Sequence, residues 1–175
     1  NLNSPYPTPK GLEGKYELVT LSKIVGAFII DSIFGAGLFI IGFVSIVIIA
    51  KNNILPTYFP PVLLVLLLTM VWSLGSCILY KWLFGWKYEA TLGKMVMKIK
   101  IVKTNGERLS KKEAFVRALA ETFITFIPFG MHAELYTYMV SIGKSNRNTV
   151  DKWVDTVIVK NNKSMKEVFA ENSNK

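Results

Sequence analysis

Residues 24–50 read IVGAFIIDSIFGAGLFIIGFVSIVIIA, and Asp31 is the single charged residue among them. A helix of about 20 apolar residues is long enough to cross a bilayer, so this stretch predicts a membrane-spanning helix. A carboxylate placed in hydrocarbon costs about 3 kcal/mol even on the mildest scale. We therefore expect Asp31 to face protein or water within the membrane, and not lipid.

The small residues of this predicted helix share the face that carries Asp31. Successive residues turn by about 100° in an α-helix, which places four small residues near the acid: Ala27, Gly35, Gly42 and Ser45. Small residues let membrane helices approach closely. We predict that this small-residue stripe packs against protein, either another helix of the chain or a second copy in a homo-oligomer.

The composition favours a membrane protein over a nucleic-acid-binding protein. The chain has 175 residues, of which 51% are hydrophobic, and its formal charge is +9. Basic proteins often bind nucleic acid, but here the basic residues flank apolar segments, where membrane topology accounts for them. We expect the lipid bilayer to be a partner and nucleic acid not to be one.

No set of side chains in the sequence predicts a cofactor, a metal site or an enzyme. His132 and Cys77 are the single histidine and the single cysteine, and a zinc site needs three or four protein ligands. With His132 as the only imidazole base, a nucleophile paired with a histidine and an acid is not expected either. We predict no cofactor, no metal and no catalytic residue.

A second uncharged stretch, residues 62–80, predicts another membrane-spanning helix. Trp82 and Trp86 follow it, and tryptophan collects at the boundary between membrane and water.

The surrounding composition divides the chain into three parts. We predict a disordered tail over residues 1–14, a single membrane domain over residues 15–160, and a polar tail over residues 161–175.

The chain after the second span carries signals of short strands and helices. Residues 95–102 and 154–159 predict two strands, the first from its period-two alternation, and Asn105-Gly106 predicts a turn. Residues 110–113 predict a capping box that opens a helix over residues 111–127. Pro128 and Gly130 interrupt that helix, and residues 131–142 predict a second helical piece.

The distribution of Lys and Arg predicts the topology. Three lysines precede the first span, ten basic residues lie within 81–117, and only Lys51 lies between the two spans. Basic residues collect on the cytoplasmic side, which predicts that both termini and the two strands are cytoplasmic. Residues 113–142 then form a broken helical hairpin, or two further short spans. The predicted fold class is an all-α membrane protein with a two-stranded cytoplasmic β element.

Five short motifs, taken together and in order, resemble the RDD family of bacterial integral membrane proteins. They are I-I-D-S at 29–32, T-L-G-K at 91–94, K-I-K-I-V-K at 98–103 followed by N-G, R-A-L-A at 117–120, and D-K-W-V-D-T-V-I-V at 151–159. The resemblance covers about residues 16–160. It implies a multi-pass protein of the bacterial cytoplasmic membrane.

The family is named for one arginine and two aspartates. Asp31 matches the first aspartate, and Asp151 best matches the second. The arginine belongs at the start of the first helix, where this sequence has Lys23. Lysine keeps the charge but lacks the bidentate fork of a guanidinium group. The resemblance implies a role in transport and names no substrate.

Asp31 has two interpretations from the sequence. It is either a structural acid, satisfied by Lys23, Arg117 or backbone groups, or an ion or proton site, since acids within membranes are often functional. Arg117 and Glu121 are four residues apart, so they form either a plain ion pair on one helical face or a source of positive charge for Asp31.

Three further residues complete the candidate charge network: His132, Asp151 and Asp155. His132 follows the predicted break at 128–130, where a histidine acts either as a capping or interface residue or as a proton relay. Asp155 lies at the start of the second predicted strand.

Two functions stay open at this point. A charge at Asp31 beside a broken helix predicts transport of an unidentified ion or small ligand, in an oligomer because two spans are too few to enclose a path. The basic cytoplasmic face predicts instead a scaffold or accessory subunit that binds a membrane protein partner or anionic lipid.

Overall fold

The two long apolar stretches form two long helices that pack against each other. A computed structural model describes residues 19–52, 61–126, 147–163 and 165–173, and the fold is given for these residues. Helix α1 spans Leu21–Lys51 and helix α2 spans Pro61–Tyr88. Both are long and apolar enough to cross a membrane. Most of their large apolar side chains are exposed, whereas the core helix of a soluble protein buries them.

Helix α2 continues two turns beyond the predicted end at residue 80. The last carbonyl groups of a helix have no partner within the helix. Here Arg108 supplies one, because its Nη2 donates to the carbonyl oxygen of Trp86 at 2.9 Å and to that of Lys87. Lys111 adds a cation–π contact, with its Nζ 4.3 Å from the centre of the Trp86 ring.

The chain after α2 forms a short helix where the alternation predicts the start of a strand. Helix α3 spans Leu92–Val96, and strand β1 spans Ile99–Lys103. The prediction of a strand over 95–102 is therefore wrong in its first half. The alternation arises because Met95 is buried from a helical turn, while Ile99 and Ile101 are buried from the strand. Lys98 joins the two with a φ of 54°.

Helix α4 spans Lys111–Phe126 and begins with the predicted capping box. The N–H of Ser110 donates to Glu113 Oε2 at 2.8 Å, and the N–H of Glu113 donates to Ser110 Oγ at 3.3 Å. Helix α4 packs along α2. The edge of the Phe115 ring meets Trp82, with the ring centres 5.5 Å apart.

The two strands pair, as the topology argument requires. Helix α5 spans Thr149–Trp153 and leads into strand β2, Thr156–Lys160. Strand β2 runs antiparallel to β1, with Ile101 opposite Ile158. Four consecutive residues of β2, 156–159, are buried. The fold class is confirmed in its coarse form, a mostly helical chain with two long apolar helices and a two-stranded sheet.

The core of the molecule lies at the end of the helix pair where α1 begins and α2 ends. Ile99, Ile101 and Ile158 of the sheet pack there with Ala27 of α1 and Ala114 of α4. Both strands therefore share one end of the molecule with the start of α1.

The segment that the sequence describes only as a polar tail contains a helix. Helix α6 spans Met165–Ser173. Val168 is buried in a small cluster with Ala90 and Met95, and the ring centres of Phe169 and Tyr88 are 4.9 Å apart. Two apolar residues in a polar segment are enough to attach the helix to the end of α2. The predicted tail at 1–14, the break at 128–130 and the helical piece at 131–142 lie outside the described residues.

Candidate functional site

The carboxylate of Asp31 is held by three neutral donors, which together form the Asp31 site. Oδ1 accepts from the hydroxyl of Tyr80 at 2.8 Å and from the backbone N–H of Gly93 at 2.9 Å. Oδ2 accepts from the hydroxyl of Thr91 at 2.5 Å. Hydrogen bonds to an ionised acceptor are roughly twice as strong as neutral ones, so this arrangement can hold a charged carboxylate within the apolar helix.

Three elements place these donors. Asp31 lies in α1 and Tyr80 in α2, while Thr91 and Gly93 belong to the start of α3. The hydroxyl of Tyr80 also accepts from the N–H of Leu92 at 2.8 Å, which ties α3 to α2. The T-L-G-K motif is thus the segment that closes over the acid.

Gly93 permits the close approach of α3 to α1. A Cβ at this position would collide with the carbonyl oxygen of Ala27 and come within 2.9 Å of Asp31 Cγ. Ala27 is only 2% exposed. A side chain at 93 would therefore push the backbone of α3 away from α1 and separate the donors from Asp31.

The partners of Asp31 agree only in part with the predicted ones, which were Lys23, Arg117 or backbone groups. No lysine or arginine among the residues that the structure describes forms an ion pair with Asp31; its partners are Tyr80, Thr91 and Gly93. The backbone N–H of Gly93 is a partner of the predicted kind, whereas a pair with Lys23 or Arg117 is not formed. The physical reason is that hydroxyl and amide donors satisfy the carboxylate without the cost of burying a second charge.

Arg117 is instead the centre of a second group, the Arg117 network. Its Nη1 donates to Asp151 Oδ1 at 2.6 Å and to the hydroxyl of Thr156, and its Nη2 lies 2.9 Å from Glu121 Oε1. Arg117 is 3% exposed and Asp151 is fully buried. The network therefore joins α4 to α5 and β2 through buried charges.

Asp151 is also part of the capping box of α5. Its N–H donates to Asn148 Oδ1 at 2.6 Å, and its Oδ2 accepts from the N–H of Asn148 at 3.2 Å. The remaining oxygen accepts from Arg117 and, at 3.1 Å, from the Thr156 hydroxyl. The second aspartate of the family pattern thus fixes the position of Arg117.

Glu121 collects three cations. Arg117 is nearest, while Lys94 Nζ lies 3.5 Å from Oε1 and Lys81 Nζ lies 3.9 Å from Oε2. Burial acts to raise the pKa of Glu121, but the charges of Lys94, Arg117 and Lys81 outweigh it and hold the pKa well below its ordinary value. Glu121 is therefore ionised.

A cavity of about 590 Å³ lies between α1, α2 and α4 and connects the Asp31 site with the Arg117 network. Charged side chains line its polar end: Asp31, Lys81, Lys94, Arg117 and Glu121. Apolar side chains line its apolar end: Phe39, Phe43, Leu66 and Met70. A volume of this size is typical of sites that bind small molecules.

Three other candidates of the sequence lie away from the cavity or outside the description. Lys23 is half-buried in the first turn of α1 and does not line the cavity. Asp155 has a φ of 52° and accepts from Thr104 at 2.7 Å and from Arg147 at 2.9 Å. The hydrogen bond from Thr104 and the charge of Arg147 lower the pKa of Asp155. His132 lies outside the described residues.

The small-residue stripe divides into residues that pack and residues that do not. Gly42 is buried, and a Cβ there would collide with the ring of Trp72, whose Nε1 donates to the carbonyl oxygen of Leu38 at 3.1 Å. A Cβ on Gly35 meets no described atom within 4 Å, and Ser45 is exposed. Of the four residues of the stripe, only Ala27 and Gly42 therefore pack closely against other parts of the described chain.

Sequence reasoning missed the donors of Asp31. Tyr80 reads as a boundary aromatic and Thr91 as one letter of a family motif, so neither is identified as a ligand of the acid. Two features could have pointed to these donors. A carboxylate removed from water needs hydrogen-bond donors, and the T-L-G-K motif follows α2 directly. Among the described residues no group of His, Cys, Asp or Glu side chains has the arrangement of a metal site.

Comparison with known proteins gives one match. The model of the RDD family matches residues 20–155, which is more than half of the chain and includes both aspartates. Neither the comparison with curated proteins nor the comparison with solved structures gave a match. Together with the two exposed apolar helices, the family match indicates a membrane protein.

Proposed function

We propose, since this chain belongs to the RDD family, that it is a multi-pass protein of the bacterial cytoplasmic membrane that moves an unidentified ion or small ligand. The ligand enters the cavity between α1, α2 and α4 and passes Asp31. Transport is a binding and conformational function and needs no catalytic residue. Two spans do not enclose a path by themselves, so the proposal includes a homo-oligomer or a membrane protein partner.

The proposed orientation places the sheet and both termini in the cytoplasm. The basic stretch 81–117 lies at the end of the molecule that holds β1 and β2, and Lys51 lies at the opposite end of α1. An excess of Lys and Arg on one side supports this orientation.

The observation that carries the proposal is the position of Asp31 in the wall of the cavity. The carboxylate lies about 15 Å along α1 from Leu21 at 1.5 Å per residue and has no cation among its described partners. Ionisable residues within membrane-spanning segments are rare and mark ion or substrate pathways.

Flux through vesicles tests the proposal. The purified protein is reconstituted into sealed vesicles that contain an ion reporter and a pH reporter, and monovalent and divalent cations are then added in turn. The proposal expects a flux above that of protein-free vesicles for at least one ion. Absence of flux for every ion and for a panel of small charged solutes, with correctly inserted and folded protein, would contradict it.

A scaffold or accessory role is the second candidate, and one surface favours it. Trp153, the last residue of α5, is 69% exposed and follows the exposed Lys152. An exposed tryptophan beside basic residues suits a partner or anionic lipid at the cytoplasmic face. The change Trp153→Ser is expected to abolish capture of a partner in mild detergent if this candidate is right, and to leave flux unchanged if transport is right.

A further inference from the structure

Two lysines at the polar end of the cavity keep most of their donor capacity unused. The shortest contact of the Glu121 carboxylate is with Arg117, at 2.9 Å. Nζ of Lys94 lies 3.5 Å and Nζ of Lys81 lies 3.9 Å from its oxygens. An ammonium group has three donors, and strong charged bonds to oxygen measure about 2.8 Å. Among the described residues, neither lysine reaches such a distance. Both lysines line the cavity, and their side chains are largely shielded, with 12% of Lys94 and 20% of Lys81 exposed.

The carboxylates near these lysines are already occupied. Asp31 accepts from Tyr80, Thr91 and Gly93. Asp151 is held by Arg117 and the cap of α5. A further anion is therefore the group that can satisfy the donors of Lys81 and Lys94 that no described residue engages closely, since an unmet donor on a shielded side chain is costly.

The opposite end of the cavity fits hydrocarbon. Phe39 and Phe43 of α1 face Leu66 and Met70 of α2 across it, and each side chain is at least 41% exposed. Asp31 and Phe43 are twelve residues apart, which is about 18 Å along a helix. The cavity therefore extends along the helices from its charged end to an apolar end whose side chains are exposed.

We propose that the cavity binds one membrane lipid with an anionic phosphate headgroup. The phosphate accepts from Lys81 and Lys94, and an acyl chain lies along Phe39, Phe43, Leu66 and Met70. The long apolar end of the cavity favours a lipid over a free anion, because a free phosphate would leave that end empty. The inference concerns the cavity of the proposed function but holds whether or not the protein transports anything.

Lipid retention in native mass spectrometry tests the inference. The delipidated protein is titrated with phosphatidylglycerol or with phosphatidylcholine of the same acyl chains. The wild type is expected to retain one phosphatidylglycerol, at least tenfold more tightly than phosphatidylcholine, and to show a higher thermal midpoint with it. Equal retention of the two lipids, or an equal rise in midpoint with inorganic phosphate alone, would overturn the inference.

Two variants test binding of the headgroup separately from binding of the acyl chain. The double change Lys81→Gln with Lys94→Gln is expected to lower retention of phosphatidylglycerol at least tenfold. The matched control, Lys112→Gln with Lys166→Gln, removes the same charge from two exposed positions outside the cavity and should retain the lipid. Retention that falls equally in both doubles would show a general charge effect and overturn the assignment.

Gly35→Leu tests the part of the cavity that holds the acyl chain. Its result can be interpreted even if the lysine double variant fails to fold. Gly35 lines the cavity, and a Cβ added there has no described atom within 4 Å, so the lipid-free protein should keep its thermal midpoint. The leucine fills the cavity and should displace the lipid. Undiminished retention would place the lipid elsewhere. Flux in vesicles of phosphatidylcholine alone is measured separately, so loss of the lipid inference and loss of the transport proposal are distinguishable.

Discussion

At the residue scale, the two aspartates of the family pattern are held in opposite ways. Asp31 is held by three neutral donors, whereas Asp151 is buried against the guanidinium group of Arg117. A buried charge that loses its partner costs about 3–5 kcal/mol, while replacement of both partners often costs little. The two acids are therefore expected to respond differently to the same substitution.

The first residue-scale prediction concerns the buried pair. Arg117→Gln or Asp151→Asn alone should lower the free energy of unfolding by about 3 kcal/mol, because each leaves a buried charge without its partner. The double variant should recover part of that loss. Thermal unfolding in detergent measures all three. Losses that simply add in the double variant would contradict a direct pair.

The second residue-scale prediction concerns Gly93. Gly93→Ala should destabilise the protein by more than about 2 kcal/mol. The new Cβ would collide with the carbonyl oxygen of Ala27, and this backbone atom cannot rotate away as a side chain could. Gly85→Ala is the control, because a Cβ at Gly85 meets no described atom within 4 Å and alanine favours a helix. Similar thermal midpoints for the two variants would show that α3 does not lie closely on α1.

At the element scale, the contact between α1 and α2 depends on Gly42. A Cβ there displaces the Trp72 ring and with it the hydrogen bond to the carbonyl oxygen of Leu38. Gly42→Ala should therefore lower the thermal midpoint, and Gly37→Ala, on an open part of the same helix, should not. A lower midpoint for Gly37→Ala than for Gly42→Ala would argue against this packing of the two helices.

The capping box of α4 gives a pH dependence. The hydrogen bond from Lys103 and the N–H of Ser110 lower the pKa of Glu113 from 4.5 to about 2. A lowered carboxyl pKa stabilises the fold above pH 4.5, and that stability is lost as the pH falls toward 2. The free energy of unfolding should fall more steeply between pH 6 and pH 3 in the wild type than in Glu113→Gln. Parallel pH profiles would exclude this contribution.

The elements show which parts of the fold the sequence could predict. Apolar length alone locates α1 and α2, and the Ser110 box locates the start of α4. Local signals fail at residues 92–98, because α3 depends on its contacts with α1, which lies about 60 residues earlier in the sequence. The same limit hides Tyr80 and Thr91 as donors to Asp31. Helix α6 depends on Val168 and Phe169 meeting the end of α2, which local pattern does not reveal.

At the scale of the whole molecule, the account requires the sheet and Lys51 to lie on opposite sides of the membrane. Asn52 follows the last residue of α1 and Lys163 follows β2 at the opposite end of the molecule, and both are exposed. In a Cys77→Ser background, Asn52→Cys should react with an impermeant thiol reagent added to intact cells, and Lys163→Cys should react only after lysis. Labelling of both positions in intact cells would contradict the proposed orientation.

The most direct test of the account is the behaviour of Asp31→Asn in two measurements on one preparation. An amide can keep the geometry, because its oxygen still accepts from Tyr80 and Gly93 while its nitrogen donates to the Thr91 hydroxyl. With no cation left behind, the thermal midpoint should stay within a few degrees of the wild type. Flux in vesicles should disappear, while Asp155→Asn, an acid outside the cavity, should keep it. Undiminished flux through folded Asp31→Asn would contradict the claim that this carboxylate lies on the transport path.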